Sequence, residues 1–471
     1  MTSVVDTPPR DDTPPRPAPT PISADEAVAL VIECLKEGRP RDAAALLRRV
    51  LEVVPGHPGA LHYAGMLAFK TGHTEDGIRL VRESLETAPG MADWHSNLGI
   101  MLQAIDDVAG AIEAFRSAVA LDPKHANAHN NLGVLLRLMR LHTDAEAEYR
   151  TAIAIDANHA DAYNNLAILL DLTGRSAEAV TAYCHALTLR PQFASARRQL
   201  AIAYCRIGER EKAIRMCEEW VRLEPDSEEG RHTLAAVSGR DVPARASDAY
   251  VSRTFDEFAR TFEAKLALLH YRAPELVVGA LTEAGLLPSK SLDVLDLGCG
   301  TGWCGPLVSP WARRLVGVDL SRRMLDAARG KGEYDELVHG ELTGYLVARP
   351  HQFDLIIAAD TLVYFGDLGP VLTAVAGALR PGGLSVFTLE EAADTPAAEP
   401  YRLEPNGRYV HRADYVERLL AERGLDAVIQ RADLRREAGL PVAGLVVRAA
   451  RPRADGDADS GTDAARIGRL R

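Results

Sequence analysis

Residues 292–302 read Leu-Asp-Val-Leu-Asp-Leu-Gly-Cys-Gly-Thr-Gly, and this stretch decides the fold of the second half of the chain. An apolar run of strand length passes directly into a glycine-rich turn. Such a turn lets the backbone approach a nucleotide-like ligand at the carboxyl end of a strand, where doubly wound sheets bind ligands. The dinucleotide fingerprint G-x-G-x-x-G is not met, because Trp303 stands where the last glycine belongs.

Apolar strand-like runs alternate with helical segments through the rest of this half, which predicts a doubly wound α/β sheet. The second run ends at Asp319, 21 residues after Gly298, where a carboxylate accepts hydrogen bonds from the two hydroxyls of a ribose. The predicted strands are Leu292–Leu297, Leu315–Asp319, Leu337–His339, Phe353–Ala358, Gly383–Leu389, Leu425–Arg431 and Val442–Ala449.

The order of these segments resembles that of class I S-adenosylmethionine (SAM)-dependent methyltransferases, whose first motif often reads D-L-G-C-G-T-G. The resemblance implies a Rossmann-like, seven-stranded methyltransferase domain with SAM as its cofactor; the alternative is a degenerate, inactive copy of that fold. It also implies that Glu341 receives the adenine amino group, although the family more often has aspartate there. The implied cofactor-binding residues are Asp296, Gly298, Gly300, Gly302, Asp319, Leu320, Glu341 and Leu342.

Phe255, Phe258 and Phe262 recur at helical spacing ahead of the first strand, which predicts an amphipathic helix. The region resembles bacterial tetratricopeptide-repeat methyltransferases and, more loosely, ubiquinone-type methyltransferases, in which such a segment covers the SAM pocket. The resemblance implies that Tyr271 and Arg272 hold the methionine carboxylate of SAM, since a guanidinium matches a carboxylate. The alternative is that these two residues are core filler and a surface charge.

A period of 34 residues governs the first half of the chain. Small residues let two antiparallel helices approach closely, large apolar residues fill the groove between them, and a proline falls where the second helix must end. The columns are Pro55, Pro89, Pro123, Ala157, Pro191 and Pro225; Ala43, Gly77, Ala111, Ala145, Ala179 and Ala213; and Leu47, Val81, Phe115, Tyr149, Tyr183 and Cys217.

This pattern resembles a tetratricopeptide-repeat (TPR) array over residues 24–226, with a polar capping helix near 227–238. The resemblance implies a right-handed superhelix that holds a peptide or protein partner on its concave face. Asn97, Asn131 and Asn165 share one column, and carboxamides there pair with a peptide backbone, as in the asparagine ladder of O-GlcNAc transferase. The alternative is that asparagine is simply common at this position of the motif.

The composition of the chain argues against several classes of function. The formal net charge of −12 argues against wrapping duplex DNA or binding an anionic membrane. A signal peptide is not expected, because the N-terminus has no apolar core, and neither is a membrane span. The six cysteines are scattered without metal-ligand spacing, so no metal site is predicted and reduced thiols in the cytoplasm are the simpler interpretation.

Changes in composition along the chain predict its domain boundaries. Proline-rich and small polar stretches at the two ends predict disordered tails. The predicted segments are a disordered tail at 1–23, a TPR array of six repeats with a capping helix at 24–238, a linker at 239–249, the methyltransferase domain at 250–452, and a second disordered tail at 453–471.

Methyl transfer requires an electron-rich acceptor in line with the methyl group, and a base where the acceptor carries a proton. Asp360 follows the fourth strand and His411 precedes a predicted helix, so both are predicted to be catalytic, with Tyr364 binding the acceptor. The alternative is that Asp360 and His411 cap helices. No Asn-Pro-Pro-Tyr signature follows the fourth strand, which leaves the identity of the acceptor open.

Three functions fit these patterns. The asparagine column favours a SAM-dependent methyltransferase whose array recruits a peptide or protein substrate. The first alternative is a small-molecule methyltransferase that uses its array only for assembly or protein contacts. The second alternative is a non-catalytic TPR adaptor.

Overall fold

The structure is a computed structural model that describes residues 22–393, 399–437 and 440–453. Apart from residues 22, 23 and 453, the two predicted disordered tails lie outside this range. The chain divides into two compact units, Met1–Leu135 and Leu136–Arg471. In the part of the chain that is described, no helix is long and apolar enough to cross a membrane.

Short helices follow one another through residues 24–238. Most of the helices that come second in a pair have proline two residues beyond their end, which removes a backbone donor where the helix must stop. In the first unit the helices are α1 (Ala24–Lys36), α2 (Pro40–Val53), α3 (Pro58–Lys70), α4 (Thr74–Thr87), α5 (Ala92–Ala104) and α6 (Val108–Leu121), and α7 (Ala126–Leu138) spans the boundary. In the second unit they are α8 (His142–Ile155), α9 (Ala160–Leu172), α10 (Ser176–Leu189), α11 (Ala194–Arg206), α12 (Arg210–Leu223) and α13 (Glu228–Ser238).

Within each unit, the small and the large residues of the repeat columns lie at the contacts between paired helices. Every member of both columns is buried. In the first unit Gly99 of α5 faces the ring of Phe115 of α6 so closely that a methyl group on Gly99 would lie 2.7 Å from that ring. The small–large alternation of the sequence is therefore a steric requirement of the pairing.

A mixed sheet with helices on both faces forms the rest of the second unit. Its strands are β1 (Leu292–Leu297), β2 (Ala312–Asp319), β3 (Glu336–His339), β4 (Phe353–Ala358), β5 (Leu379–Glu391), β6 (Tyr401–Leu403), β7 (Tyr409–His411), β8 (Asp426–Glu437) and β9 (Leu440–Ala450). Its helices are α14 (Asp248–Phe258), α15 (Phe262–Leu268), α16 (Ala273–Glu283), α17 (Cys304–Val308), α18 (Arg322–Lys331), α19 (Leu342–Val347), α20 (Gly369–Ala378) and α21 (Ala413–Glu422).

The strand order is β3-β2-β1-β4-β5-β9-β8, parallel except for β9, which pairs antiparallel with β5 and β8. All seven predicted strands are present. The sequence interpretation missed the hairpin β6–β7, which pairs with the last two residues of β5. Its strands have three residues each, too few for an alternating pattern to show. Parallel pairing brings the carboxyl ends of β1, β2 and β4 to one edge, where the predicted site residues Gly298, Gly300, Asp319 and Asp360 lie.

Candidate functional site

A cavity lies at the carboxyl ends of β1, β2 and β4, and its empty space together with the open solvent at its mouth is about 1100 Å³. This is the edge at which doubly wound sheets bind ligands. Its walls come from the loop after each of these strands, from α14 and α15, and from the chain that precedes α14. The lining residues are Arg245, Ala246, Val251, Phe255, Phe262, Leu266, Tyr271, Pro274, Gly298, Cys299, Gly300, Thr301, Trp303, Cys304, Asp319, Leu320, Glu341, Leu342, Ala359, Asp360, Thr361, Tyr364, Phe365 and Arg408.

The two glycines of the loop after β1 that line the cavity both adopt the left-handed backbone conformation that favours glycine. Gly298 has a φ of +67°, and a Cβ there would lie 2.4 Å from the side chain of Thr361. Gly300 has a φ of +54°, but a Cβ there would meet only Phe262, at 3.9 Å. The first glycine therefore lets two loops touch, and the second leaves its face of the cavity open for a ligand.

Asp319 ties the end of β2 to the glycine loop. Its carboxylate accepts hydrogen bonds from the backbone N–H of Gly300 at 2.9 Å and of Ser321 at 2.7 Å. Burial raises the pKa of Asp319, although these backbone hydrogen bonds oppose the shift. Because each carboxylate oxygen has two lone pairs, the group keeps acceptor capacity on its cavity side.

Glu341 lines the cavity but already has local partners. It is the N-cap of α19, and its carboxylate accepts from the backbone N–H of Thr343 at 2.9 Å and of Gly344 at 2.7 Å. The sequence interpretation gave Glu341 only a ligand-binding role and missed this cap. Leu320 and Leu342 lie on the same side of the cavity and provide apolar surface there.

Asp296 and Gly302 belong to the glycine motif but lie outside the cavity lining. The Asp296 side chain is buried, and its Oδ2 accepts a hydrogen bond from the hydroxyl of Tyr334 at 2.7 Å. Burial raises the pKa of Asp296 to about 7, with the charge of Asp319 adding to the effect and the Tyr334 hydrogen bond opposing it. A Cβ at Gly302 would lie 3.0 Å from the Tyr334 ring. Both motif residues thus pack against Tyr334 and support the loop from behind.

Helices α14 and α15, joined by a 3₁₀ turn at Ala259–Thr261, form the roof of the cavity. Phe255 and Phe262 line the cavity and contact each other edge to face, with ring centroids 5.9 Å apart. The third predicted aromatic, Phe258, lies outside the lining, and its ring is 4.1 Å from Lys265 Nζ.

Two carboxylates fasten this roof to the loops beneath it. Asp256 accepts from the hydroxyl of Ser321 at 2.6 Å, in the loop after β2. Glu263 accepts from the hydroxyl of Thr301 at 2.6 Å, in the loop after β1. The roof is therefore held by the same loops that form the ligand-binding edge.

Tyr271 and Arg272 are neighbours in the chain, but only one of them lines the cavity. Tyr271 lines the cavity and contacts Trp303 edge to face at 5.8 Å, and burial raises its pKa. Arg272 is the N-cap residue of α16, and its backbone N–H donates to Leu434 O at 2.8 Å. It lies outside the cavity lining, so only the tyrosine of the pair faces a ligand there.

Asp360 lies at the far side of the cavity, after β4, with a φ of +56°. Its backbone N–H donates to Thr388 Oγ1 at 2.8 Å, and its carboxylate oxygens lie 3.3 and 3.0 Å from Nη1 of the buried Arg435. Asp360 does not cap the helical segments that follow β4, whose N-caps are Thr361 and Leu368, so the alternative role as a helix cap is not seen. Tyr364 also lines this side, with a hydroxyl whose pKa burial raises.

Arg435 belongs to a cluster of five charged side chains whose mutual pairing the sequence did not predict. Besides Asp360, Arg435 contacts Glu390 and Glu437, and Arg408 pairs with the same two glutamates. Burial acts to raise the pKa of Glu437, but the two guanidiniums outweigh it and lower this pKa to about 2. Two cations face three carboxylates, so the cluster has one surplus negative charge beside the cavity.

His411 lies outside the cavity lining. Its side chain is fully buried, and Nε2 is 2.8 Å from Phe365 O and 3.2 Å from Gly366 O. Burial lowers its pKa to about 4. It also does not cap α21, whose N-cap is Arg412. These contacts give His411 a structural role behind the wall that contains Phe365.

The asparagines of the repeat column are half-buried and lie in both units. In the first unit, Asn97 Nδ2 lies 3.3 Å from His62 Nε2, and Asn131 accepts a hydrogen bond from Asn130 at 3.2 Å. Asn165 lies on α9 in the second unit. Neither of these two contacts uses the full hydrogen-bonding capacity of a carboxamide.

Comparison with known proteins finds two kinds of family in the chain. A model of the methyltransferase domain matches residues 294–383, and models of the tetratricopeptide repeat match residues 28–92, 64–126, 124–192 and 196–229. The chain therefore joins tetratricopeptide repeats to a methyltransferase domain, as the sequence predicts.

Individual relatives match the chain over short stretches. Methyltransferase-like protein 27 of Homo sapiens is 40% identical over 84 residues, 18% of this chain and 34% of that protein. A ubiquinone biosynthesis O-methyltransferase of Thiobacillus denitrificans is 33% identical over 107 residues, 21% of this chain and 45% of that protein. The biotin biosynthesis bifunctional protein BioHC of Saccharophagus degradans is 25% identical over 158 residues, 33% of this chain and 27% of that protein. The chain thus spans less than half the length of each of these relatives.

The raised pKa of Asp296 predicts a pH-dependent stability difference. A carboxyl group whose folded pKa lies above its usual 3.8 stabilises the fold at low pH, and this contribution is lost as the pH rises through about 7. Asp296→Asn keeps an acceptor for Tyr334 and cannot ionise. Between pH 4 and pH 8, the unfolding free energy of the variant should therefore rise relative to the parent, by at most about 4 kcal/mol.

Chemical denaturation across this pH range measures the difference. Asp293→Asn is the matched control, because Arg313 and Arg380 outweigh burial and lower the pKa of Asp293, which keeps its carboxylate ionised from pH 5 to 8. Between pH 5 and pH 8, the control should differ from the parent by a constant amount. If the unfolding free energy of Asp296→Asn also differed from that of the parent by a constant amount, the raised pKa of Asp296 would be refuted.

Proposed function

We propose that this chain is a SAM-dependent methyltransferase whose repeats recruit a peptide or protein substrate. The observation that carries the first part is the glycine loop after β1, held by Asp319 at the end of β2, in a domain that matches the methyltransferase family. SAM, when bound, supplies an activated methyl group on a sulfonium. The chain's own residues have to position this group against an acceptor and exclude water.

The lining fits the parts of SAM one by one. The Asp319 carboxylate is suited to accept hydrogen bonds from the ribose hydroxyls of SAM. The open face of Gly300 leaves room for the SAM atoms next to the ribose. Leu320 and Leu342 offer apolar surface to the adenine ring. The remaining lone pairs of Glu341 would receive the adenine amino group while the same carboxylate caps α19.

The acceptor would enter beside Asp360 and Tyr364. Asp360 is oriented by Arg435, so its carboxylate is fixed before any acceptor arrives. The surplus negative charge of the five-residue cluster disfavours an anionic acceptor and favours one that donates a hydrogen bond. An amine or hydroxyl meets this requirement, with Asp360 orienting the acceptor or taking its proton.

Two alternatives remain open to experiment. The named relatives include a ubiquinone biosynthesis O-methyltransferase, which keeps a small-molecule acceptor as the second candidate. A non-catalytic adaptor is the third. The repeat column of Asn97, Asn131 and Asn165 favours a peptide, because carboxamides match both donors and acceptors of a peptide backbone.

Cofactor binding is tested by Asp319→Ala. The change removes the proposed ribose acceptor and two hydrogen bonds to the loops, so it should cost about 2–4 kcal/mol of SAM affinity in titration calorimetry. Asp335→Ala is the matched control. Its carboxylate accepts from the Leu315 backbone at 2.7 Å but lies outside the cavity, so SAM affinity should not change. Unchanged affinity in a folded Asp319→Ala protein would overturn the cofactor assignment.

A second pair of variants distinguishes a role of Asp360 in turnover from the mere loss of an ion pair. Asp360→Asn should lower kcat by about a hundredfold if the carboxylate orients the acceptor or takes its proton. Asp354→Asn removes a carboxylate partner of Arg380 near the start of β4, outside the cavity lining and outside the five-residue cluster, so it should lower the melting temperature while kcat stays within a few-fold. Equal turnover in the two variants, measured by formation of S-adenosylhomocysteine, would remove Asp360 from the proposed mechanism.

Peptide recruitment is tested by replacing Asn97, Asn131 and Asn165 together with alanine. The apparent KM for a protein substrate should rise while SAM affinity stays unchanged, because the repeats would bind only the acceptor. Asn127→Ala with Asn158→Ala is the control pair, since both are exposed amides outside the column. A triple variant that methylates its protein substrate as well as the parent would rule out binding through this column.

A further inference from the structure

The last helix of the repeat array, α13, packs directly on the hairpin β6–β7. Ala235 and Ala236 of α13 form one apolar cluster with Leu403 and Tyr409 of the hairpin. The hydroxyl of Tyr409 donates to Pro243 O at 2.7 Å, in the segment that follows α13. These contacts join the repeats to the part of the methyltransferase domain that the sequence interpretation missed.

A buried histidine lies at the centre of this contact. His232 of α13 stacks on the ring of Tyr250, with centroids 4.1 Å apart, and its Nε2 lies 2.9 Å from Gly407 O. Burial lowers the pKa of His232, so the ring is neutral and Nε2–H donates to this carbonyl. A Cβ at Gly407, where φ is +86°, would lie 2.6 Å from the Tyr250 hydroxyl. His232, Tyr250 and Gly407 therefore pack closely and restrict one another's positions.

Each partner of His232 is connected to a wall of the cavity. Tyr250 lies in the first turn of α14, the roof helix whose Val251 and Phe255 line the cavity. Gly407 directly precedes Arg408, which lines the cavity at its acceptor side. One side chain of the array therefore holds the roof and the far wall at the same time.

The segment between α13 and α14 completes this wall. Arg245 and Phe365 form a β-bridge, Ala246 N–H donates to Tyr364 O at 2.8 Å, and Ala244 O accepts from Gly366 and Asp367. Arg245 and Ala246 themselves line the cavity. The predicted linker is thus part of the site.

We infer that helix α13 supports the cofactor cavity and that His232 is a positioning residue, which holds α14 and Arg408 in the arrangement that retains the cofactor. The inference rests on the proposed function. The repeats then do more than recruit a substrate, because removing or displacing their last helix frees two walls of the cavity.

S-adenosylhomocysteine is the probe, because it needs no knowledge of the acceptor. In the full chain, His232→Ala removes a ring stack and a buried hydrogen bond at once. It should weaken binding at least about tenfold and speed dissociation by a similar factor. Both are measured by calorimetry and stopped-flow at a temperature well below the melting transition. A residue that only stabilised the domain boundary would lower the melting temperature and leave both quantities unchanged.

Two further variants make the test decisive. His185→Ala removes a comparable histidine–tyrosine stack inside the array, 5.1 Å from Tyr163, and should leave S-adenosylhomocysteine binding unchanged. Tyr409→Phe removes a single hydrogen bond from the same contact, so it decides the matter if His232→Ala does not fold, and it should weaken binding about threefold.

The outcomes separate the two claims. A parent chain that does not bind S-adenosylhomocysteine overturns the proposed function and the inference with it. A parent that binds, with folded His232→Ala or Tyr409→Phe binding equally well, overturns the inference alone. Weaker binding in these variants and not in His185→Ala supports it.

Discussion

The site depends on the two hydrogen bonds by which the Asp319 carboxylate holds backbone N–H groups on either side of it. Gly300 belongs to the loop after β1 and Ser321 to the loop after β2, so a single buried acid sets the separation of the two loops. The cavity opens between them because Gly300 carries no side chain. Asp296 and Tyr334 act behind this loop, where their buried hydrogen bond supports the backbone that faces the ligand.

The opposite end of the cavity follows a different principle. There, five charged side chains lie close together, and each guanidinium contacts more than one carboxylate. Buried charges are costly unless they are paired, so removing any one member leaves its partners uncompensated. The arrangement fixes Asp360 and Arg408 without relying on the apolar core. In the proposed function, this rigid wall would hold an acceptor in line with the transferable methyl group.

Regular features of the chain could be predicted from the sequence, and features that depend on distant partners could not. Periodicity and spacing predict the repeat columns, the seven longer strands and the position of Asp319 at the cavity. The stretch Arg-Ala-Asp-Leu-Arg-Arg-Glu at 431–437 resembles a solvated strand end, and only the fold reveals that Arg435 is buried among carboxylates. His411 was misleading for a related reason, since a histidine near a predicted helix start gives no sign that the hairpin buries it completely. Tyr334 lay in no motif and was missed.

Transfer of a tritium-labelled methyl group from SAM in a lysate tests the central claim most directly. The full chain is incubated with labelled SAM, and the products are separated into protein and small-molecule fractions. We expect label in the protein fraction, in an amount matched by the S-adenosylhomocysteine formed, and at least about tenfold less incorporation when the added chain carries Asp319→Ala and SAM is kept below the Kd of the parent chain. Label confined to small molecules would contradict the proposed substrate class. Absence of incorporation into either fraction, with the chain folded, would contradict the assignment of this protein as a methyltransferase.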